Sequence, residues 1–216
     1  EMKWQRNVVL AAVLASSLPV AAQEITLKVH HFLPPTSTAH VKLITPWCDR
    51  LAKESAGKLK CQIYPAMQLG GTAPQLYDQA RDGVVDIVWT LPGSTAGRFP
   101  VMELFELPFV AAKLAVPNAK AVQEFYETTP YLKEEFKEVH PICVWAHDGG
   151  LIHTNRQVKT MEDLKGLKLR SPTRLAGDAL KALGANYVQA GLWRGFAACF
   201  AGGLIFFETK HGILGQ

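Results

Sequence analysis

Arg170 closes an alternating stretch, Leu167-Lys168-Leu169-Arg170, directly before Ser171-Pro172. Leu167 and Leu169 share one face of that predicted strand, and Lys168 and Arg170 share the other. A guanidinium can grip a carboxylate through two charge-assisted hydrogen bonds, and ligands of open α/β sheets sit beyond the carboxyl ends of the strands. Taken by itself, the stretch reads more simply as a solvated basic edge of Lys165, Lys168 and Arg170. Phe32, Trp89 and Leu91 add weight to the chemical reading, because each falls at the C-terminal end of a predicted strand. Core packing explains any one of them; three at one edge of a sheet are consistent with a cleft wall. An apolar cleft carrying one arginine suits a small organic acid.

Other chemistry-bearing residues form weaker patterns. His30 and His31 are adjacent, so a strand sends them to opposite faces. His147 and His153 lie on separate predicted strand segments, and no HxxxH or HExxH occurs, which disfavours a metal site. A role for His31 or His147 in lining a polar pocket fits better. There is no GxSxG, and no cysteine stands beside an obvious base. Glu103 and Glu106 lie in an apolar segment where a buried acid could act in catalysis, although a solvated edge or an ion pair is the simpler role. A secreted hydrolase using His147, His153 or Glu106 is therefore the rival reading. The run QLGG before a predicted helix could cradle an anion, but GxGxxG and a P-loop Lys-Ser/Thr are absent, so a tight turn is favoured and no cofactor is expected.

These residues must be positioned by the rest of the chain. Its first part is read as a secretory signal peptide, residues 1–22: Lys3 and Arg6, then the apolar run VVLAAVLASSLPV, then the small residues VAA. Export makes disulfides available. The four cysteines (Cys48, Cys61, Cys143, Cys199) lack CxxC spacing, and three lie in apolar or amphipathic patterns, so buried free thiols are favoured and a Cys48–Cys61 bridge is the alternative. The 23 basic and 19 acidic residues are interspersed, so no basic block implies nucleic acid. After the leader come a strand at 25–32, a helix at 39–56 with Pro46 as an irregularity, and a strand at 58–65. A turn and a helix capped by Thr72 follow, then a buried strand at 84–93. That β-α-β-α-β order predicts a parallel sheet covered by helices. A short helix and bend are read at 99–110, surface helices at 116–139 broken by Pro130, and a buried strand at 141–150 with 151–155 as a hairpin partner. A short helix at 160–166, the Arg170 strand, a helix from Thr173 to Gly184 and a strand at 185–191 complete the order. A compositional shift near 140–150 suggests a second lobe. Residues 191–216 are apolar and glycine-rich, but Arg194 and the glycines argue against a membrane span.

The segments YPAMQLGGTAPQLYDQARDGVVDIVWT, FPVMELFELPFV and MEDLKGLKLRSPT, in this order behind a signal peptide, resemble the DctP-family solute-binding proteins of TRAP (tripartite ATP-independent periplasmic) transporters. The resemblance covers about residues 25–190. It implies a two-lobed α/β periplasmic-binding-protein fold that closes on its ligand and delivers it to a TRAP permease in the membrane. It implies no enzymatic activity. The division it suggests is a first α/β lobe over 23–145, part of a second over 146–190, and an atypical tail over 191–216 that departs from the family. Family members run on beyond this length, so the second lobe is expected to be incomplete, and a non-functional fragment of a binding protein stands beside the hydrolase as an alternative reading. The family's carboxylate-pairing arginine falls on Arg170, the cleft wall on Phe32, Trp89, Thr90 and Leu91, and the segment holding His147 lies opposite. Some sialic-acid-binding members carry a second arginine where Gly150 or Leu151 stands here. An aromatic or short aliphatic acid is the expected ligand instead, and a periplasmic monomer the expected state.

Overall fold

The computed structural model describes residues 24–107, 109–110, 112, 114–146, 152–189 and 203–209. The expected signal peptide, His147 and Cys199 lie outside them. Strand β1 (Ile25–His31) buries Leu27 and Val29 against exposed Thr26 and Lys28, and its last three residues are buried on both faces. The helix expected over 39–56 is divided: a π-helical turn, His40–Ile44, leads into α1 (Thr45–Glu54). Pro46 explains the division. It lacks an N–H and is tolerated in a first turn, so the chain restarts a regular helix there. Strand β2 (Leu59–Tyr64) pairs parallel to β1. A turn through Gly70 and Gly71 leads to α2 (Leu76–Arg81), preceded by a 3₁₀ turn whose Gln75 side chain accepts the Thr72 N–H at 2.8 Å.

Strand β3 (Ile87–Thr90) is buried at every residue, as its run of β-branched and aromatic side chains predicts. It is shorter than the 84–93 expected, because the Leu91–Pro92 bond turns it into a 3₁₀ turn, Pro92–Ser94. Helix α3 (Pro100–Glu103) and the 3₁₀ turn Leu104–Glu106 make the expected bend. Helices α4 (Ala115–Thr128) and α5 (Tyr131–Glu135) are separated at Pro130, as expected. Strand β4 (Val139–Ala146) lies under α4, whose Gln123 side chain accepts the Val144 N–H at 2.9 Å.

Strand β5 (Lys168–Ser171), helix α6 (Arg174–Ala182) and strand β6 (Asn186–Gln189) form a second unit, a parallel pair with its crossover helix. Thr173 caps α6 as expected, its side chain accepting the Ala176 N–H at 3.3 Å. Gly177, inside α6, has a packing reason: a Cβ there would stand 2.5 Å from the Tyr187 ring of β6. Finally β7 (Gly203–Thr209) returns to the first sheet, giving the order β2-β1-β3-β7-β4. It runs antiparallel to both β3 and β4, so β1 to β4 all point the same way. The hairpin partner expected at 151–155 is not found: residues 152–155 form no strand, and β7 takes the place beside β4.

Side chains alternate across β3. Val88 joins Leu76, Tyr77, Ala80, Phe99, Phe136 and Val144 on one face. Ile87 and Trp89 join Leu27, Val29, Ile44 and Cys48 on the other. Burying one such aliphatic or aromatic side chain contributes about 1.5–3 kcal/mol. The second face also carries a correction. Cys48 of α1 and Cys61 of β2 form a disulfide, with Cα atoms 5.7 Å apart, where free thiols were expected. Helix packing on the parallel pair brings the two residues together, a proximity that their spacing alone does not reveal. Cys143 stays a free thiol, pushed up to about 11 by burial.

Candidate functional site

The C-terminal ends of β1, β3 and β4 open on the same edge of the sheet. His31 pairs with Trp89 across β1 and β3, which brings the Phe32 and Trp89 rings to 5.3 Å between centroids. Trp145, one residue from the end of β4, stands 6.2 Å from Trp89 across the intervening β7. Two of the three expected wall residues are therefore in contact, and Trp145 extends the wall. Sequence reasoning treated Trp145 only as part of a buried strand. A strand read over 141–150 places Trp145 mid-strand, so only the observed bounds, Val139–Ala146, bring it to the edge.

Trp89 is 4% exposed, and its Nε1 finds no hydrogen-bond partner among the described residues. A buried N–H without an acceptor costs roughly 1–3 kcal/mol, so it is a donor suited to a ligand oxygen. Thr90 points to the other face, is buried, and donates to Ala73 O at 3.4 Å. Leu91 is part-buried, and its carbonyl accepts from the backbone and hydroxyl of Ser94 at 3.0 and 2.6 Å.

The histidines of β1 part as expected. His30 Nδ1 lies 2.7 Å from Gln79 Oε1 on one face. On the other, His31 Nε2 lies 2.9 Å from His40 Nδ1, and His31 Nδ1 accepts the Leu33 N–H at 3.2 Å. That last bond puts the neutral ring's proton on Nε2, where it donates to His40. Burial first, then His40 and His30, lowers the His31 pKa to about 4, so the His31 ring is a neutral support under Trp89, whose ring is 6.5 Å away.

Arg170 is part-buried near the end of β5, opposite Val188. Ser171 and Thr173 beyond it are buried, and the Ser171 hydroxyl donates to Thr173 O at 2.8 Å. Thr173 packs on the turn that leaves β3: an added Cβ at Gly93 would stand 2.9 Å from Thr173 Cγ2 and collide with the Glu106 carboxylate. Thr173 Oγ1 donates to Glu106 Oε2 at 2.6 Å, and Arg174 reaches Glu103 at 3.2 Å. The Arg170 strand end is thus carried against the exit of the strand that holds Trp89. Burial raises the Glu106 pKa to about 7, opposed by the Thr173 hydrogen bond. His153 is exposed and Glu106 is engaged at this junction; His147, the third residue of the hydrolase reading, lies outside the described residues. Among the described residues no His/Cys/Asp/Glu group could hold a metal, and no helix is long and apolar enough to cross a membrane.

A TRAP solute-binding protein from Rhodoferax ferrireducens T118, solved with copurified benzoate, is 37% identical to this chain. The match has a TM-score of 0.78 and covers 86% of this chain and 69% of that one. A marine-metagenome TRAP solute-binding protein specific for aromatic acid ligands, solved with 3-hydroxybenzoate, is 36% identical, with a TM-score of 0.79, covering 87% and 69% of the two chains. The 2,3-diketo-L-gulonate-binding periplasmic protein YiaO of Escherichia coli K12 is 31% identical over 181 residues, which is 82% of this chain and 52% of that protein. The chain spans little more than half the length of the curated relatives it matches. An α/β fold is what the two solved relatives share with it. The description DctP, bacterial extracellular solute-binding protein, family 7, fits residues 29–192, and the chain belongs to that family.

Proposed function

We propose that this protein captures a small organic acid outside the cytoplasmic membrane, with an aromatic carboxylate as the preferred ligand, and hands it to a TRAP-type permease. The observation that carries the reading is the aromatic wall of Phe32, Trp89 and Trp145, set on the sheet edge that faces the exit loop against which the Arg170 strand is docked. An aryl ring stacks on that wall, since offset and edge contacts between rings add about 0.5–1.5 kcal/mol beyond burial. Arg170 anchors the carboxylate, Trp89 Nε1 donates to a ligand oxygen, and Leu91 and His147 shape the remainder of the cleft, while Thr90 supports β3 from its other face. The two sheets then close on the ligand, because both touch it only in the closed form.

Two relatives of 36–37% identity support the ligand class: one holds benzoate and the other 3-hydroxybenzoate. The family consists of solute-binding receptors, which supports a binding role; on our reading the protein acts without turnover, as a periplasmic monomer serving the membrane subunits. Calorimetric titration with benzoate and 3-hydroxybenzoate tests the reading. Wild type binds, and Arg170→Ala loses at least 30-fold in affinity, about 2 kcal/mol for a charge-assisted contact. Equal affinity in the variant refutes the anchor, and no binding of either acid by wild type refutes the ligand class.

A further inference from the structure

The junction between the two sheets is built around one carboxyl group. Glu106 ends a 3₁₀ turn of the first unit, and its Oε2 accepts the hydroxyl proton of Thr173, the residue that caps α6 of the second unit. Its other oxygen lies against Gly93, where the chain has no room for a Cβ. Three segments therefore meet at this group: the exit of β3, the bend after α3, and the turn that follows Arg170. We propose that Glu106 is a proton-responsive clasp that fixes the Arg170 strand end against the aromatic edge, and so sets ligand affinity by positioning rather than by contact.

The direction of the response follows from the surroundings. Glu103 is a like charge nearby, with its own oxygens accepting the Gly97 N–H at 2.6 Å and pairing with Arg174 at 3.2 Å. Arg174 also pairs with Asp178, one turn along α6, at 3.1 Å, so its charge is shared. Behind Glu103, Glu135 accepts the Met102 N–H at 3.0 Å. Burial of the Glu106 carboxyl, with the Glu103 charge as a smaller addition, disfavours its ionised form and raises its pKa to about 7. Protonation weakens the Thr173 bond but removes the buried charge, and the net rise in pKa makes the second effect the larger. Acid therefore tightens the clasp, and alkali loosens it.

The ligand part of this inference rests on the receptor reading above; the clasp itself does not. If only the protonated form holds the Arg170 strand in register, the competent fraction falls from about nine-tenths at pH 6 to about one-tenth at pH 8, a weakening of about tenfold in apparent affinity. Hydrogen exchange of the β5–α6 peptide is measured without ligand from pH 5.5 to 8.5, corrected for the intrinsic rate, in wild type, Glu106→Gln and Thr173→Val. Benzoate affinity is measured over the same range. The clasp requires wild-type protection of that peptide to fall through neutrality, while Glu106→Gln stays protected and flat. Superimposed profiles for wild type and Glu106→Gln overturn it. If Glu106→Gln does not fold, Thr173→Val must shift the wild-type midpoint upward, since it removes the bond that favours the ionised form; an unmoved midpoint overturns the proposal equally. A pH-dependent exchange profile with no benzoate binding at any pH leaves the clasp standing and sinks the receptor reading instead.

Discussion

The Cys48–Cys61 disulfide gives the most quantitative forecast. It ties α1 to β2, the strand at the end of the sheet order β2-β1-β3-β7-β4, across a sequence separation of 13 residues. Cross-linking a loop of that size removes enough freedom from the unfolded chain to stabilise the fold by about 3 kcal/mol. For a domain of this length each kcal/mol corresponds to about 2–4 °C of melting temperature, so the expected loss on reduction is about 6–12 °C. The assay is thermal unfolding followed by circular dichroism, with and without a phosphine reductant, on wild type and on Cys48→Ala/Cys61→Ala. Mass spectrometry of alkylated, unreduced peptides confirms the link. Wild type should lose stability on reduction, and the double variant should melt near the reduced wild type regardless of reductant. Equal melting temperatures for oxidised and reduced wild type would refute the loop-entropy argument, and alkylated Cys48 and Cys61 in the unreduced protein would refute the bond.

Further outcomes are expected at three places. Gly177→Ala should destabilise by about 1–3 kcal/mol despite alanine's better helix propensity, because its methyl meets the Tyr187 ring at 2.5 Å; a stability gain in urea unfolding would contradict that packing. His31, with its pKa lowered to about 4, resists protonation in the fold while the unfolded chain accepts a proton near pH 6.5. Its contribution is therefore lost as pH falls from about 6.5 to 4, a few kcal/mol in all, and His31→Gln should flatten that acid limb. Glu106 acts with the opposite sign between its unfolded value and about 7, so the comparison is made in a Glu106→Gln background. Trp89→Phe keeps the ring stack but removes the indole N–H, so it should weaken acid binding several-fold while leaving unfolding within about 1 kcal/mol; unchanged affinity would remove that donor from the site.

Local patterns in the chain carried much of the framework. The alternation from Ile25, the all-apolar run at Ile87–Trp89 and the break at Pro130 each specify an element by what neighbouring residues can do. Thr173 announced the start of α6 because a hydroxyl before a helical stretch meets the first free N–H groups. Phe32 and Trp89 were legible as neighbours because parallel strands joined by a helix place their C-terminal ends together. Trp145 escaped notice because its strand reaches that edge only through β7.

What the sequence by itself determined is therefore the order of elements as far as β6, without the hairpin expected at 151–155, and an arginine near a strand end. The tertiary structure decided which distant segments meet: Gly203–Thr209 between β3 and β4, Cys48 against Cys61, and Glu106 against Thr173, 67 residues apart. Periodicity and capping act over a few residues and leave a mark in the local pattern. Contacts across tens of residues depend on how whole elements pack, and a buried carboxyl acquires its proton affinity only from the neighbours that packing supplies.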